Sequence, residues 1–395
     1  MEQFAVIKDI VIILLVSIPI IYLFNRIKIP SIVGFLVSGM LIGPSGLQLI
    51  IGIKEIETMA EIGVILLLFF IGLEVSLKEL MKMKRFLIIA GGLQISLTVI
   101  IFSALFMILQ IEIYKSIYIG MLISLSSTAI VLKILSDRNE LDAPHGKIAL
   151  GILIFQDLSI VPMLIFLPIL GATSELVVSD IFLKLLASVA AVAVIVMLAK
   201  FLMPKILIQI AKLRVREIFT VGILLLLLGT AYLTHSIGLS FAIGAFLAGL
   251  ILSESDFSHQ ILSEIIPFKD AFNTLFFVSI GLMLNFNFVI QNPIILTTLT
   301  LGIIVLKCLI VIAVVIVMKF PLRIGIITGL TLAQIGEFSF VLSQAGMKYD
   351  LIESSFYNAF IASSVFTMVL TPFAIYFAHN LSARIKVKSI FSGKN

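Results

Sequence analysis

The stretch GILIFQDLSIVPML, Gly151 to Leu164, sets one carboxylate, Asp157, and one carboxamide, Gln156, in an otherwise uncharged and mostly aliphatic run. A carboxylate in hydrocarbon costs about 2.5 kcal/mol or more, so it needs both partners and a purpose. A carboxylate that accepts either a proton or a cation is enough for coupled exchange of the two. Few other charges fall well inside apolar runs: Lys307, Glu337 and, nearer the end of its run, Glu74. Asp157 and Lys307 are an acid and a base at mid-run, and pairing them would lower the burial cost of both. Burial and a neighbouring ammonium push a carboxylate's titration in opposite directions. Lys307 is therefore expected to be a conditional charge partner, with Gln156 supplying neutral groups beside Asp157. Lys133 lies near a run end and can extend to the interface. Glu74 reads as a structural or entrance residue.

Two further stretches, SLSSTAIV (124–131) and QIGEFSFV (334–341), interrupt apolar runs with small and polar residues. Interrupted spans in corresponding places mark transport sites near the membrane midplane. Unwound backbone there can offer oxygens to a cation where protein or water covers it. Ser126, Ser127 and Thr128 are thus candidate ion ligands with Asp157 and Gln156. The plainer alternative is that they hydrogen-bond across helices. Glu337 directly follows Gly336, where a second half-helix is expected to start. A carboxylate there compensates the positive end of the helix dipole, which favours a structural role over ligation.

These residues need elements to hold them. The chain has 395 residues, 61% hydrophobic and 12% charged, with a mean hydropathy of +1.25. A soluble domain carries about 25% charged residues, so the class is an all-α polytopic membrane protein. Apolar runs of about 20 residues fall near 9–24, 31–50, 59–76, 86–111, 116–136, 148–170, 181–203, 218–235, 237–252, 270–288, 295–318, 323–347 and 355–379. That gives about thirteen spans, with twelve as the competing count. Basic residues cluster after odd spans (Arg26 and Lys28; Lys82, Lys84 and Arg85; Lys212, Arg214 and Arg216; Arg384, Lys386 and Lys388). The positive-inside rule then puts the N-terminus outside and the C-terminus in the cytoplasm. The loop at about 253–269 disagrees, because it is acidic. Residues 1–24 read as a first span and not a cleaved signal.

An internal repeat accompanies this pattern. VGFLVSG resembles IGAFLAG, SLSSTAIV aligns with QIGEFSFV, and IVPM with LTPF, all at an offset of 210; FFIGL resembles VSIGL at 209. Repeat one is expected at about 9–170, a linker helix at about 181–203 and repeat two at about 218–379, within a transmembrane domain of 1–379 followed by a basic tail, 380–395. Seven spans of separation would invert the second repeat. Asp157 and Lys307 have no charged counterparts at this offset, which falls on Thr367 and Leu97.

The single cysteine, Cys308, excludes an internal disulfide. His145, His235, His259 and His379 are scattered without HxxxH spacing. No metal centre is expected beyond a monovalent cation at Asp157, and no cofactor. An intramembrane aspartyl protease would need a second mid-span aspartate, so an enzyme is not expected. A gated channel and a sodium-coupled solute symporter are the rival transporters.

FQDLSIVP, LSSTAIV, AFLAGLILSES, LFFVSIGLMLN, LLLFFIGLEV and GEFSFVL together resemble the monovalent cation:proton antiporter-2 family, especially its Kef-type potassium/proton branch. The resemblance runs from Gly34 to Pro372. It implies a sodium/proton antiporter-like fold with two interrupted crossing helices and a homodimer in the cell membrane. Each protomer would have a dimerisation domain and a mobile core of spans three to six and ten to thirteen. It also implies that the ion sits on Asp157, helped by Gln156 and the interrupted fifth span, with a basic residue at Lys307. One carboxylate, where electrogenic relatives have two adjacent acids, fits electroneutral exchange of potassium or sodium for a proton. Kef-type chains usually continue into a cytosolic nucleotide- and glutathione-binding domain. With no GxGxxG before Asn395, that regulatory domain is expected to be deleted, separate or absent. No nucleic-acid partner is expected.

Overall fold

The computed structural model describes residues 2–27, 29–50, 54–74, 84–171, 197, 201–203, 205–236 and 241–384. These are almost wholly helical, and no strand occurs among them. Most of the expected seventh span, the Glu74 side chain and residues 385–395 lie outside this set.

The helices are α1 (Glu2–Arg26), α2 (Ser31–Ile42), α3 (Lys54–Glu74), a π-helical turn (Arg85–Gly91) leading into α4 (Gly92–Ile108), α5 (Ile113–Ser124), α6 (Thr128–Asp137) and α7 (Pro144–Leu170). They continue with α8 (Arg216–Ser236), α9 (Phe241–Ser253), α10 (Ser258–Met283), α11 (Phe286–Gln291), α12 (Pro293–Val317), α13 (Leu322–Thr331), α14 (Glu337–Met347) and α15 (Ser354–Arg384). Among the described residues, eight helical segments are long and apolar enough to cross a membrane, counting α5–α6 as one. With several shorter apolar helices, they make the chain a multi-pass membrane protein.

Two boundaries differ from the sequence expectation. Span two does not run to residue 50: α2 ends at Ile42. Pro44 lacks an amide proton to continue the ladder, and the chain turns back so that Leu47 N–H donates to Leu41 O at 2.7 Å. Span ten starts earlier than expected, at Ser258. Much of the acidic segment read as a loop is thus the first turns of α10.

The described residues form two compact units. The first comprises 1–23, 34–82 and 161–286, the second 24–33, 83–160 and 287–395. Spans three and ten, assigned to the mobile core by the family resemblance, belong to the first unit as α3 and α10. Its core gathers Phe69, Leu73, Ile223, Leu227, Ala248 and Leu252, among others, from α3, α8 and α9.

Two glycine seams hold helices of the first unit backbone to backbone. A Cβ at Gly39 in α2 would collide with the Val278 carbonyl of α10 and lie 2.9 Å from Gly281 Cα; one at Gly281 would collide with the Leu36 carbonyl. A Cβ at Gly72 in α3 would collide with the Phe246 carbonyl of α9, and one at Gly249 with the Phe69 carbonyl. Only glycine tolerates such approaches. Under the sequence offset, Gly39 corresponds to Gly249 and Gly72 to Gly281. The seam α2–α10 is therefore the counterpart of α9–α3, a reciprocal exchange that a two-fold relation between halves produces.

In the second unit, α4, α6, α7 and α12 close around a core of Ala90, Val131, Ile148, Ile152, Val311 and Val315, among others. Gly91 and Gly151 admit Phe155 and Phe86 respectively against the helix backbone. This packing seats the π-helical turn against the half of α7 that carries Gln156 and Asp157.

Candidate functional site

The site lies wholly in the second unit, where two helix breaks meet. The first separates α5 from α6: Leu125 (φ −80°, ψ 140°) and Ser127 (φ −77°, ψ 110°) are extended. The second separates α13 from α14 and ends at Gly336 (φ −96°, ψ 172°). Gly336 N–H donates to Leu125 O at 3.1 Å. A Cβ at Gly336 would collide with the Ser126 carbonyl and lie 2.8 Å from Ser127 N. Gly336 is thus glycine because the two extended segments cross in contact.

Breaking two helices leaves carbonyls at two C-terminal ends and amides at two N-terminal ends without intrahelical partners. Lys307, on α12 and fully buried, serves the carbonyl side. Its Nζ donates to Leu125 O at 3.0 Å, Ser126 Oγ at 3.0 Å and Gln334 O at 2.7 Å. These contacts engage all three ammonium protons and place positive charge at the negative ends of α5 and α13. The direct pair expected between Lys307 and Asp157 is corrected accordingly: neutral oxygens of both breaks take the ammonium.

Glu337 serves the amide side. Its carboxyl lies against the Ser127 hydroxyl and the backbone amides of Ala129 and Glu337, at the positive ends of α6 and α14. Its Oε2, like both polar side-chain atoms of Gln334, is buried without a protein hydrogen-bond partner.

Gln156 acts on the first break. Ser126 N–H donates to Gln156 Oε1 at 2.8 Å, while Nε2 donates to Gln94 Oε1 at 2.7 Å and Ser124 O at 3.0 Å. Gln94, on α4, also donates to Ser124 O at 3.1 Å. The Ser126 hydroxyl accepts from Lys307 and donates to Leu332 O at 2.9 Å. Ser127 Oγ caps α6 by accepting from Ile130 N–H at 3.3 Å. Gln156, Ser126 and Ser127, expected as ion ligands, are thus engaged as braces of the crossing. In the second half, Thr367 Oγ1 accepts from Ile335 N–H at 3.1 Å; Thr367 stands at the Asp157 offset and braces in its place.

Asp157 remains, 8% exposed on α7. Thr128 Oγ1, at the start of α6, lies 3.0 Å from Oδ1 and 2.9 Å from Oδ2. One hydroxyl proton is thus shared between both carboxylate oxygens. Of the five candidate ligands, Gln156 and Ser126 meet through the brace just described, and Thr128 meets the carboxylate of Asp157 itself. Away from the breaks, Lys133 pairs with Asp137 at 3.0 Å with its side chain largely exposed, as a residue near a span end should.

The sequence reading missed Gln94 and Thr367. A signal existed for the first: a carboxamide in the apolar run GGLQISLTV must find partners across helices, just as Gln156 must.

Residues 10–378 match the family of sodium/hydrogen exchanger transmembrane domains. The chain belongs to that family. Among curated relatives of this exchanger family, K(+) efflux antiporter 5 of Arabidopsis thaliana is 33% identical over 356 residues, covering 88% of this chain and 62% of that one. The glutathione-regulated potassium-efflux system protein KefC of Cronobacter sakazakii is 33% identical over 348 residues, covering 88% of this chain and 56% of that one. The chain thus spans about three fifths of the length of these relatives, and the resemblance to Kef-type proteins is borne out. The sodium proton antiporter MjNhaP1 of Methanocaldococcus jannaschii superposes with a TM-score of 0.74 at 20% identity, covering 97% of this chain and all of that one. The exchanger fold is therefore the fold of this chain.

Proposed function

We propose that this exchanger-family chain is a monovalent cation/proton antiporter that carries potassium, with Asp157 as the coupling carboxylate. The observation that carries this reading is the placement of Asp157: a buried acid opposite a helix break, held by the Thr128 hydroxyl. Around it, Lys307 and Glu337 answer the charges of the helix ends, and Gln156 and Ser126 answer the backbone. In this reading Asp157 is the group that titrates. A proton neutralises it in one loaded state. A cation does so in the other, with Thr128 turning its oxygen toward the ion while its proton leaves the carboxylate. Potassium is preferred to sodium because the relatives named above are potassium-efflux proteins. The sodium proton antiporter that shares the fold keeps sodium as the second reading.

One coupling carboxylate supports electroneutral exchange of one cation for one proton. The two halves, at about 9–170 and 218–379, act as repeats around the crossing. A homodimer with the N-terminus outside and the C-terminus in the cytoplasm fits the loop charges and the family. The test is transport by the purified protein in liposomes, read with a pH-sensitive dye while potassium, sodium, rubidium and lithium are added in turn. Proton movement driven by potassium supports the reading; response to sodium alone replaces it with the second; response to neither overturns both.

A further inference from the structure

Outside the crossing, the second unit gathers three ligand-type side chains at the end where the α6–α7 turn meets the last turns of α15. We propose that Glu140, His145 and His379 form a binding site for a divalent transition-metal cation of the zinc class.

The turn is built to present two of them. Asn139 adopts a left-handed conformation (φ 55°), ending α6 and letting Glu140 N–H close back on Leu135 O at 2.8 Å. Gly146 allows the first turn of α7 to approach closely, since a Cβ there would collide with the Glu140 carbonyl. His145 is thereby brought over the Glu140 side chain, with Nε2 3.2 Å from Oε2. The third group arrives from 239 residues further along: His379 Nε2 lies 3.1 Å from both carboxylate oxygens. All three ligand atoms lie within 4.8 Å of one another.

The surroundings of His379 suit one loaded state. Its Nδ1 is 2.8 Å from Ile375 O, and with a metal on Nε2 the ring proton sits on Nδ1 and donates to that carbonyl. Nε2 then turns a lone pair toward a carboxylate. Lone pair and carboxylate attract only with a positive species between or beside them. A backbone carbonyl on the far nitrogen is the usual support of a metal-bound histidine. Around zinc, with bonds of about 2.0–2.2 Å, tetrahedral ligands stand about 3.3–3.5 Å apart. The two measured separations, 3.1 and 3.2 Å, are close to that spacing. Two imidazoles and one carboxylate suit zinc, cobalt or nickel over magnesium or calcium, and leave a fourth position for water.

Arg138 is the opposing group. Its Nη1 lies 3.2 Å from His379 Nδ1 and 4.0 Å from Glu140 Oε1. Its positive charge repels a second cation, so removing it should tighten binding.

The test uses the intact purified protein stripped with a chelator, titrated with Co2+ and then with Zn2+. The expected result is one cobalt per chain with visible absorption bands, displaced by zinc and unaffected by magnesium, and a melting temperature that rises with zinc. His379→Gln and Glu140→Gln should each weaken binding by about tenfold to a hundredfold. His379→Cys, which keeps a ligand, should retain zinc, separating lost ligation from lost folding. Arg138→Gln should bind more tightly than the wild type. No saturable cobalt binding would overturn the site, as would binding unchanged in both His379→Gln and Glu140→Gln. A cluster held together by imidazolium protons alone gives the first of these results.

Discussion

Gly336 donates its amide proton to the Leu125 carbonyl across 3.1 Å, so the two helix breaks are joined through backbone. Neither break can shift without displacing the other. Gly336→Ala should therefore disable transport and cost about 1–3 kcal/mol, the range for overpacking. Gly302 is the control. A Cβ there meets nothing within 4 Å, and Gly302→Ala in the body of α12 should be neutral or stabilise by up to about 1 kcal/mol. Thermal melts of both variants read the contrast; equal effects would mean that the crossing is not tight.

Asp157→Asn keeps the shape of the side chain and removes its titration. Cation-driven proton movement in liposomes should vanish, while the melting temperature holds or rises because a buried charge is gone. Exchange at the wild-type rate would place coupling elsewhere.

Lys307→Gln withdraws an ammonium from Leu125 O, Ser126 Oγ and Gln334 O. The loss should be on the order of 3 kcal/mol, since buried acceptors at two helix ends lose charged donors. Because these contacts do not pass through Asp157, the double variant with Asp157→Asn should show the sum of the single effects. Recovery of stability in the double variant would instead mark a direct pair.

Gln156→Leu distinguishes a brace from a ligand. Removing the carboxamide leaves Ser126 N–H unsatisfied and takes a donor from Ser124 O, costing about 1–3 kcal/mol. The order of preference among cations should survive in whatever activity remains. A changed order would return Gln156 to the ion's coordination shell. Thr128→Val, in contrast, should weaken cation binding, because the hydroxyl contacts Asp157 itself.

With one coupling carboxylate, exchange in liposomes should proceed at the same rate under imposed potentials of either sign. A rate that follows voltage would reveal a second coupled charge.

The breaks were legible because they interrupt apolar runs at matching places, and the offset that pairs Ser126 with Gly336 falls on the observed crossing. Asp157 was legible because a carboxylate in such a run is rare. The partner of Lys307 was not. Sequence shows charges, and the obvious answer to a buried ammonium is a carboxylate; the carbonyls at a broken helix end are invisible until the break has a geometry. Gln94 escaped for a related reason: it is neutral. The three-ligand cluster escaped because its third member lies on another helix far along the chain.

The glycine seams Gly39–Gly281 and Gly72–Gly249 bear on ancestry. Each seam takes one glycine from either half of the chain, and the two seams exchange roles under the offset. A half-length chain could not close a seam within itself. Two copies of it, inserted in opposite orientations, would close both. The contacts that stitch this unit are thus ones that an antiparallel pair of identical short proteins could have made before their genes were joined.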